Sequence, residues 1–123
     1  MRPTESREDY LETILVLSQE NPYVRSIDVA EHLGVTKPSV SRAISLLKSS
    51  GLLEMDPHDG ALTLTEEGMA LAQGVYGRHR ALTAILEKIG VSPEVAAQDA
   101  CRIEHVISEE SMRCIRKYIG DEN

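Results

Sequence analysis

Residues 26 to 64 constrain the fold more than any other stretch of the chain. Two short helical patterns meet at Gly34-Val35, and a pair of brief apolar segments follows around Asp59-Gly60. Ser26 is expected to cap the first helix, whose Ile27, Val29, Ala30 and Leu33 are apolar, and Gly34 to end it. Thr36 suits an N-cap for the second helix, and Pro38 is tolerated in a first turn. Val40, Ala43, Ile44 and Leu47 form its apolar stripe, and Ser49-Ser50-Gly51 stops it. Leu52 to Met55 and Ala61 to Leu64 read as hairpin strands, with Asp-Gly marking the turn. Helix, turn, helix and hairpin in that order describe a winged helix-turn-helix.

Everything else reads as helix. Residues 5 to 20 place Tyr10, Leu11, Ile14, Leu15 and Leu17 at helical spacing, and Asn21-Pro22 ends that pattern. Thr65-Glu66-Glu67 opens a long helix to about residue 89, with Gly68, Gly74 and Gly77 as weak points. Gly90 stops it, Ser92-Pro93 starts the next helix, and Ser108 caps the last, which holds Met112, Ile115, Tyr118 and Ile119. With four Tyr, no Phe and no Trp, the core must be built from Leu, Ile, Val, Met and Ala, which suits helices packed on helices. The expected class is mainly α: a winged helix-turn-helix domain over residues 1–68, then an all-helical domain over 69–123. No apolar run approaches the roughly 18 residues needed to span a membrane. No signal peptide is apparent, and two cysteines make no disulfide framework, so a cytoplasmic protein is expected. Cys114 is expected to be a small core or interface residue.

The second helix of the pair presents Lys37, Ser39, Ser41, Arg42 and Ser45 outward. Such a face fits a major groove, where Arg binds guanine bidentately and hydroxyls reach bases or phosphates. Arg25, Thr36, Lys37, Pro38, Ser39, Ser41 and Arg42 are the candidate contacts to double-stranded DNA. The net charge of −7 opposes this, because phosphates need Lys and Arg. Its distribution answers the objection: residues 25 to 50 carry four cations against two acids, a local balance of +2. The hairpin, with Glu54, Asp56 and Asp59, is acidic, and His58 is its only candidate cation. A phosphate-gripping wing is not expected.

Six metal-capable side chains stand in three clusters: Asp9-x-x-Glu12, His79, and Cys101-x-x-Glu104-His105. In a helix, positions 101, 104 and 105 share one face, as do 9 and 12. Carboxylate, imidazole and thiolate together suit a divalent first-row transition metal rather than magnesium or calcium. An acid pair alone is most often a solvated helix surface, and a lone His is most often no ligand. An enzyme using Cys101 as nucleophile and His105 as base lacks any nearby Gly-rich turn or oxyanion donor, and is not expected.

These residues resemble the metal-dependent repressors of the diphtheria-toxin-repressor and manganese-transport-repressor family. The resemblance runs through Glu8-Asp9-Tyr10-Leu11-Glu12, Thr36 to Leu47, Leu62 to Gly68, Arg78-His79 and Asp99 to His105. It implies a winged helix followed by a helical domain that binds metal and dimerises, without the SH3-like domain that some members add. It further implies metal ligation by Asp9, Glu12, His79, Cys101, Glu104 and His105. Cys101 stands where the manganese repressors usually have Glu. The iron repressors have Cys, Glu and His at the last three positions but Met where this chain has Asp9. Their ancillary site wants an acid and a His where this chain has Thr83 and Ala97. Mn(2+) is therefore slightly favoured over Fe(2+), although the thiolate pulls toward iron, cobalt or zinc. The expected function is metal-activated repression of metal-homeostasis genes by a homodimer on a palindromic operator. The alternative is a winged-helix regulator that needs no metal. The dimer is expected to form through Leu82, Ile85, Leu86, Ile89, Ile103, Val106, Ile107, Met112, Ile115 and Ile119.

Overall fold

A computed structural model describes residues 3–120, with side chains from residue 6. Two compact units make it up, the first ending at Gln73 and the second beginning at Gly74. The boundary falls inside a helix, five residues beyond the expected 68/69 division.

The first unit opens with α1 (Pro3–Glu20), followed by α2 (Ser26–Leu33), α3 (Lys37–Ser49), β1 (Leu53–Met55), β2 (Leu62–Leu64) and the start of α4 (Glu66–Lys88). α1 buries Tyr10, Leu11, Ile14 and Leu15, one stripe at helical spacing. It ends at Glu20 because Pro22 lacks an N–H and disfavours a helical residue before it. Val29 and Ala30 of α2 and Val40, Ile44 and Leu47 of α3 are buried as well. Gly34 takes the left-handed conformation (φ 68°) that closes α2, donating its N–H to the Ala30 carbonyl. The N-cap of α2 is Arg25, not Ser26: the Asp28 carboxylate accepts the Arg25 N–H at 2.9 Å, so the helix starts one residue earlier than expected. Thr36 caps α3 as expected, its hydroxyl oxygen accepting the Ser39 N–H.

β1 and β2 pair antiparallel, Leu53 with Leu64, Glu54 with Thr63 and Met55 with Leu62. Buried Leu53 and Leu62 face the helices, while the Leu62 N–H donates to the Val24 carbonyl at 2.7 Å. The acids of the turn serve its backbone. Asp56 Oδ1 accepts the N–H groups of His58 and Asp59, and Asp59 Oδ1 accepts that of Ala61. α4 then passes close under the sheet. A Cβ on Gly68 would collide with the Leu52 carbonyl oxygen, so only glycine fits there.

The second unit contains the rest of α4, then α5 (Pro93–Ile103) and α6 (Glu109–Ile119). Ser108 caps α6, accepting the Ser111 N–H at 3.1 Å. Ala81, Leu82, Ala100 and Met112 form its core, with Ile103, Ile107, Ile115 and Ile119 packed around them. Leu82 and Met112, expected at a dimer interface, are instead buried within the unit itself. Cys114, expected as a small core or interface residue, is exposed and so lies outside the unit's core. Ile89, Val106 and Tyr118 remain exposed apolar residues. Among the described residues, no helix is long and apolar enough to cross a membrane.

Candidate metal centre and nucleic-acid interface

Three of the six metal-capable residues come together in the second unit. His79 projects from α4, Cys101 from the last turn of α5, and Glu104 from the α5 C-cap. One ligand atom from each lies within 4.8 Å of the other two. His79 Nδ1 stands 3.5 Å from a Glu104 carboxylate oxygen. Two ligands on one cation with bonds of 2.0–2.3 Å sit roughly 3–3.7 Å apart, so this spacing is that of neighbouring ligands.

Glu104 is the informative member. It is 1% exposed, and neither carboxylate oxygen has a hydrogen-bond partner, nor does His79 Nδ1. A buried carboxylate without donors costs several kcal/mol unless a charge compensates it. The protein's own answer is a proton on His79. That imidazole's pKa is pushed up to about 10, first by its side-chain interaction with Cys101, then by Glu104, against desolvation. A position that holds an extra proton so tightly also favours a divalent cation. Oxygen, nitrogen and sulfur donors fit a transition metal there, and Cys101 is exposed.

The helix geometry differs from expectation. α5 ends at Ile103, and His105 lies in the turn beyond the Glu104 cap rather than on a shared helical face. The three-residue cluster consists of His79, Cys101 and Glu104; His105 is half-buried and has interactions of its own. Asp9 and Glu12 stand one turn apart on α1 in the first unit, both half-buried and both engaged in interactions. Sequence reasoning passed over Arg78 as a contributor. Its Nε donates to the Glu104 backbone carbonyl at 2.8 Å.

In the first unit, Lys37, Pro38, Ser41, Arg42 and Ser45 of α3 are exposed, forming one polar face. Ser39 departs from the expectation of an outward base reader. It is half-buried and its Oγ accepts a hydrogen bond from the Thr36 hydroxyl at 2.9 Å, so it belongs to the cap. Arg25 is exposed, and its Nε donates to the Asp59 carbonyl at 2.9 Å, tying the start of α2 to the hairpin turn. His58 is exposed at that turn.

Known proteins match both halves. Residues 3–61 match the iron-dependent repressor N-terminal DNA-binding domain, and residues 65–122 the iron-dependent repressor metal-binding and dimerisation domain. The transcriptional regulator MntR of Escherichia coli O157:H7 is 40% identical over 111 residues, which cover 90% of this chain and 71% of that protein. The iron-dependent repressor IdeR of Mycobacterium bovis is 36% identical over 118 residues, 95% of this chain and 51% of the other. A solved manganese-dependent transcriptional repressor in complex with manganese aligns with a TM-score of 0.85 at 30% identity, covering 94% of this chain and 53% of that one. The chain thus spans about half the length of the solved manganese regulators it matches. By both halves, the chain belongs to the family of iron-dependent repressors.

Proposed function

We propose that this protein is a metal-activated, DNA-binding repressor of metal-homeostasis genes that acts as a homodimer on a palindromic operator. The observation carrying this reading is Glu104, a buried carboxylate with no hydrogen-bond donor, aimed at His79 beside Cys101. Its family adds the DNA-binding and dimerisation functions. A bound divalent cation would replace the His79 proton as the positive charge that compensates this carboxylate. Cys101, Glu104 and His79 are the proposed primary ligands; Asp9, Glu12 and His105 complete the set on the family pattern. Arg42 and Ser41 read bases, while Lys37 and Arg25 meet phosphates. The dimer uses exposed Ile89 and Val106 with the partly buried isoleucines beside them.

Mn(2+) is the proposed activator, supported by the carboxylates Asp9 and Glu12 and by the manganese regulators among the relatives. Fe(2+) is the second reading, which the Cys101 thiolate favours. Asp9 and Glu12 sit on a helix of the DNA-reading unit, so ligation by them couples metal to operator affinity, typically by ~1–3 kcal/mol. Titrating metal-free protein with Mn(2+) and, anaerobically, Fe(2+), then measuring operator binding with and without chelator, tests the proposal. Operator affinity that does not change on metal removal overturns it. Asp9→Ala with full metal-dependent DNA binding overturns the coupling.

A further inference from the structure

We propose that Arg78 is the positioning residue of the metal centre, holding the C-terminal end of α5 against α4 and so setting where Glu104 and Cys101 stand relative to His79. The proposal rests on the metal-binding reading above. Arg78 immediately precedes His79 on α4, and its Nε donates to the Glu104 backbone carbonyl at 2.8 Å. That carbonyl belongs to the C-cap of α5, one of the terminal groups that a helix leaves without an internal partner. A cationic donor at that end also opposes the negative pole of the helix. Glu104 is thereby held twice through its backbone: its N–H donates to the Ala100 carbonyl at 2.9 Å, and its carbonyl accepts from Arg78.

Consecutive residues of one helix therefore face the two ends of the same glutamate. Arg78 takes the main chain of Glu104, while His79 stands 3.5 Å from its carboxylate. Cys101 lies one turn earlier on α5 and moves with that end. Metal ligands tolerate errors of about 0.2 Å, which a frayed helix terminus does not meet. The carboxylate itself has no hydrogen-bond partner to orient it, so its position depends on the backbone that Arg78 secures.

Cobalt(II) is a suitable probe, because its d–d absorption bands report coordination geometry independently of DNA binding. Arg78→Met should keep the helical circular dichroism, lose roughly tenfold or more in Co(II) affinity, and shift or weaken the bands. Arg78→Lys, which keeps a cationic donor but not the planar fork, should recover part of the affinity. A merely structural role would lower the melting temperature of the metal-free protein and leave affinity and bands unchanged. Arg78→Met with wild-type affinity and bands, whatever its melting temperature, overturns the proposal. Should that variant fail to fold, Arg78→Ala is read in its place, and wild-type affinity and bands in it overturn the proposal. Failure of the wild type to bind Co(II) at all, seen before any variant is compared, overturns the metal reading instead.

Discussion

Glu104→Gln separates a metal ligand from a structural ion pair, because the two roles predict opposite results. In the metal-free protein the carboxylate is buried and its near charge is the His79 imidazolium at 3.5 Å. At an effective dielectric of 20 that attraction is worth about 5 kcal/mol. Withdrawing each ion from water costs several kcal/mol, so the two effects largely cancel. Glutamine removes the attraction and the carboxylate's own desolvation, and His79 can then lose its proton. Metal-free stability should therefore fall by less than the ~3–5 kcal/mol that a stranded buried charge costs. Metal should reveal the difference. At a free Mn(2+) concentration 100 times its dissociation constant, the wild type gains about 2.7 kcal/mol. Removing a ligand should cost more than the roughly 100-fold that loss of an outer partner costs. The variant should then gain at most about 0.4 kcal/mol at the same metal concentration. Urea unfolding with and without Mn(2+) measures both numbers, provided the denaturant slope is unchanged. A variant that keeps the full metal-dependent gain refutes ligation by Glu104. One that loses about 4 kcal/mol or more without metal, and keeps that gain, shows that the carboxylate is there for His79 alone.

Metal affinity should rise with pH between about 6 and 9, by up to roughly tenfold per unit, because the His79 proton must leave before metal enters. Calorimetry in buffers of different ionisation enthalpy should count at least one proton released per metal, and a pH-independent affinity with no release contradicts this. In the metal-free protein the sign runs the other way. The raised His79 pKa contributes stability that is full below about 6.5 and is lost as pH rises through about 10, which thermal melts across that window will show. Gly68→Ala should destabilise the first unit by about 1–3 kcal/mol or more, since its methyl meets a carbonyl of the backbone rather than a movable side chain; an unchanged unfolding midpoint rejects that packing. Arg42→Ala should cost about 1–3 kcal/mol and relax preference at one operator position, whereas Lys37→Ala should weaken all sequences alike and reduce the salt slope by about one. Identical behaviour of the two across operator variants rejects the division.

The helices were legible because their apolar residues repeat at helical spacing and because Pro22, Gly34, Thr36, Pro93 and Ser108 punctuate them. What escaped was decided by contacts that periodicity does not encode. The end of α5 at Ile103 is invisible in Cys101 to Ile107, which carry no Gly or Pro; the residue that meets its cap, Arg78, lies 26 positions upstream. The start of α2 could have been placed from Asp28, an acid three residues after Arg25 and able to accept its N–H. An apolar stripe does not say which surface it packs on, so Leu82 and Met112 read as dimer contacts although their own unit buries them. The grouping of His79, Cys101 and Glu104 was legible in residue type and spacing. Its buried, donorless carboxylate was not, since burial is set by the packing of α4 and α5.

The hairpin's acids have a bearing on how such a protein would search a genome. Asp56 and Asp59 are committed to backbone N–H groups of the turn, and no Lys or Arg lies between Lys48 and Arg78. Between residues 25 and 64 only Arg25, Lys37, Arg42 and Lys48 can displace counterions from a phosphate backbone. Few displaced ions mean weak attachment to arbitrary sequence and a shallow loss of affinity as salt rises. A protein built this way spends little time on the wrong DNA. Occupancy of its operator then depends more on the contacts of α3 than on the general attraction between charge and polymer.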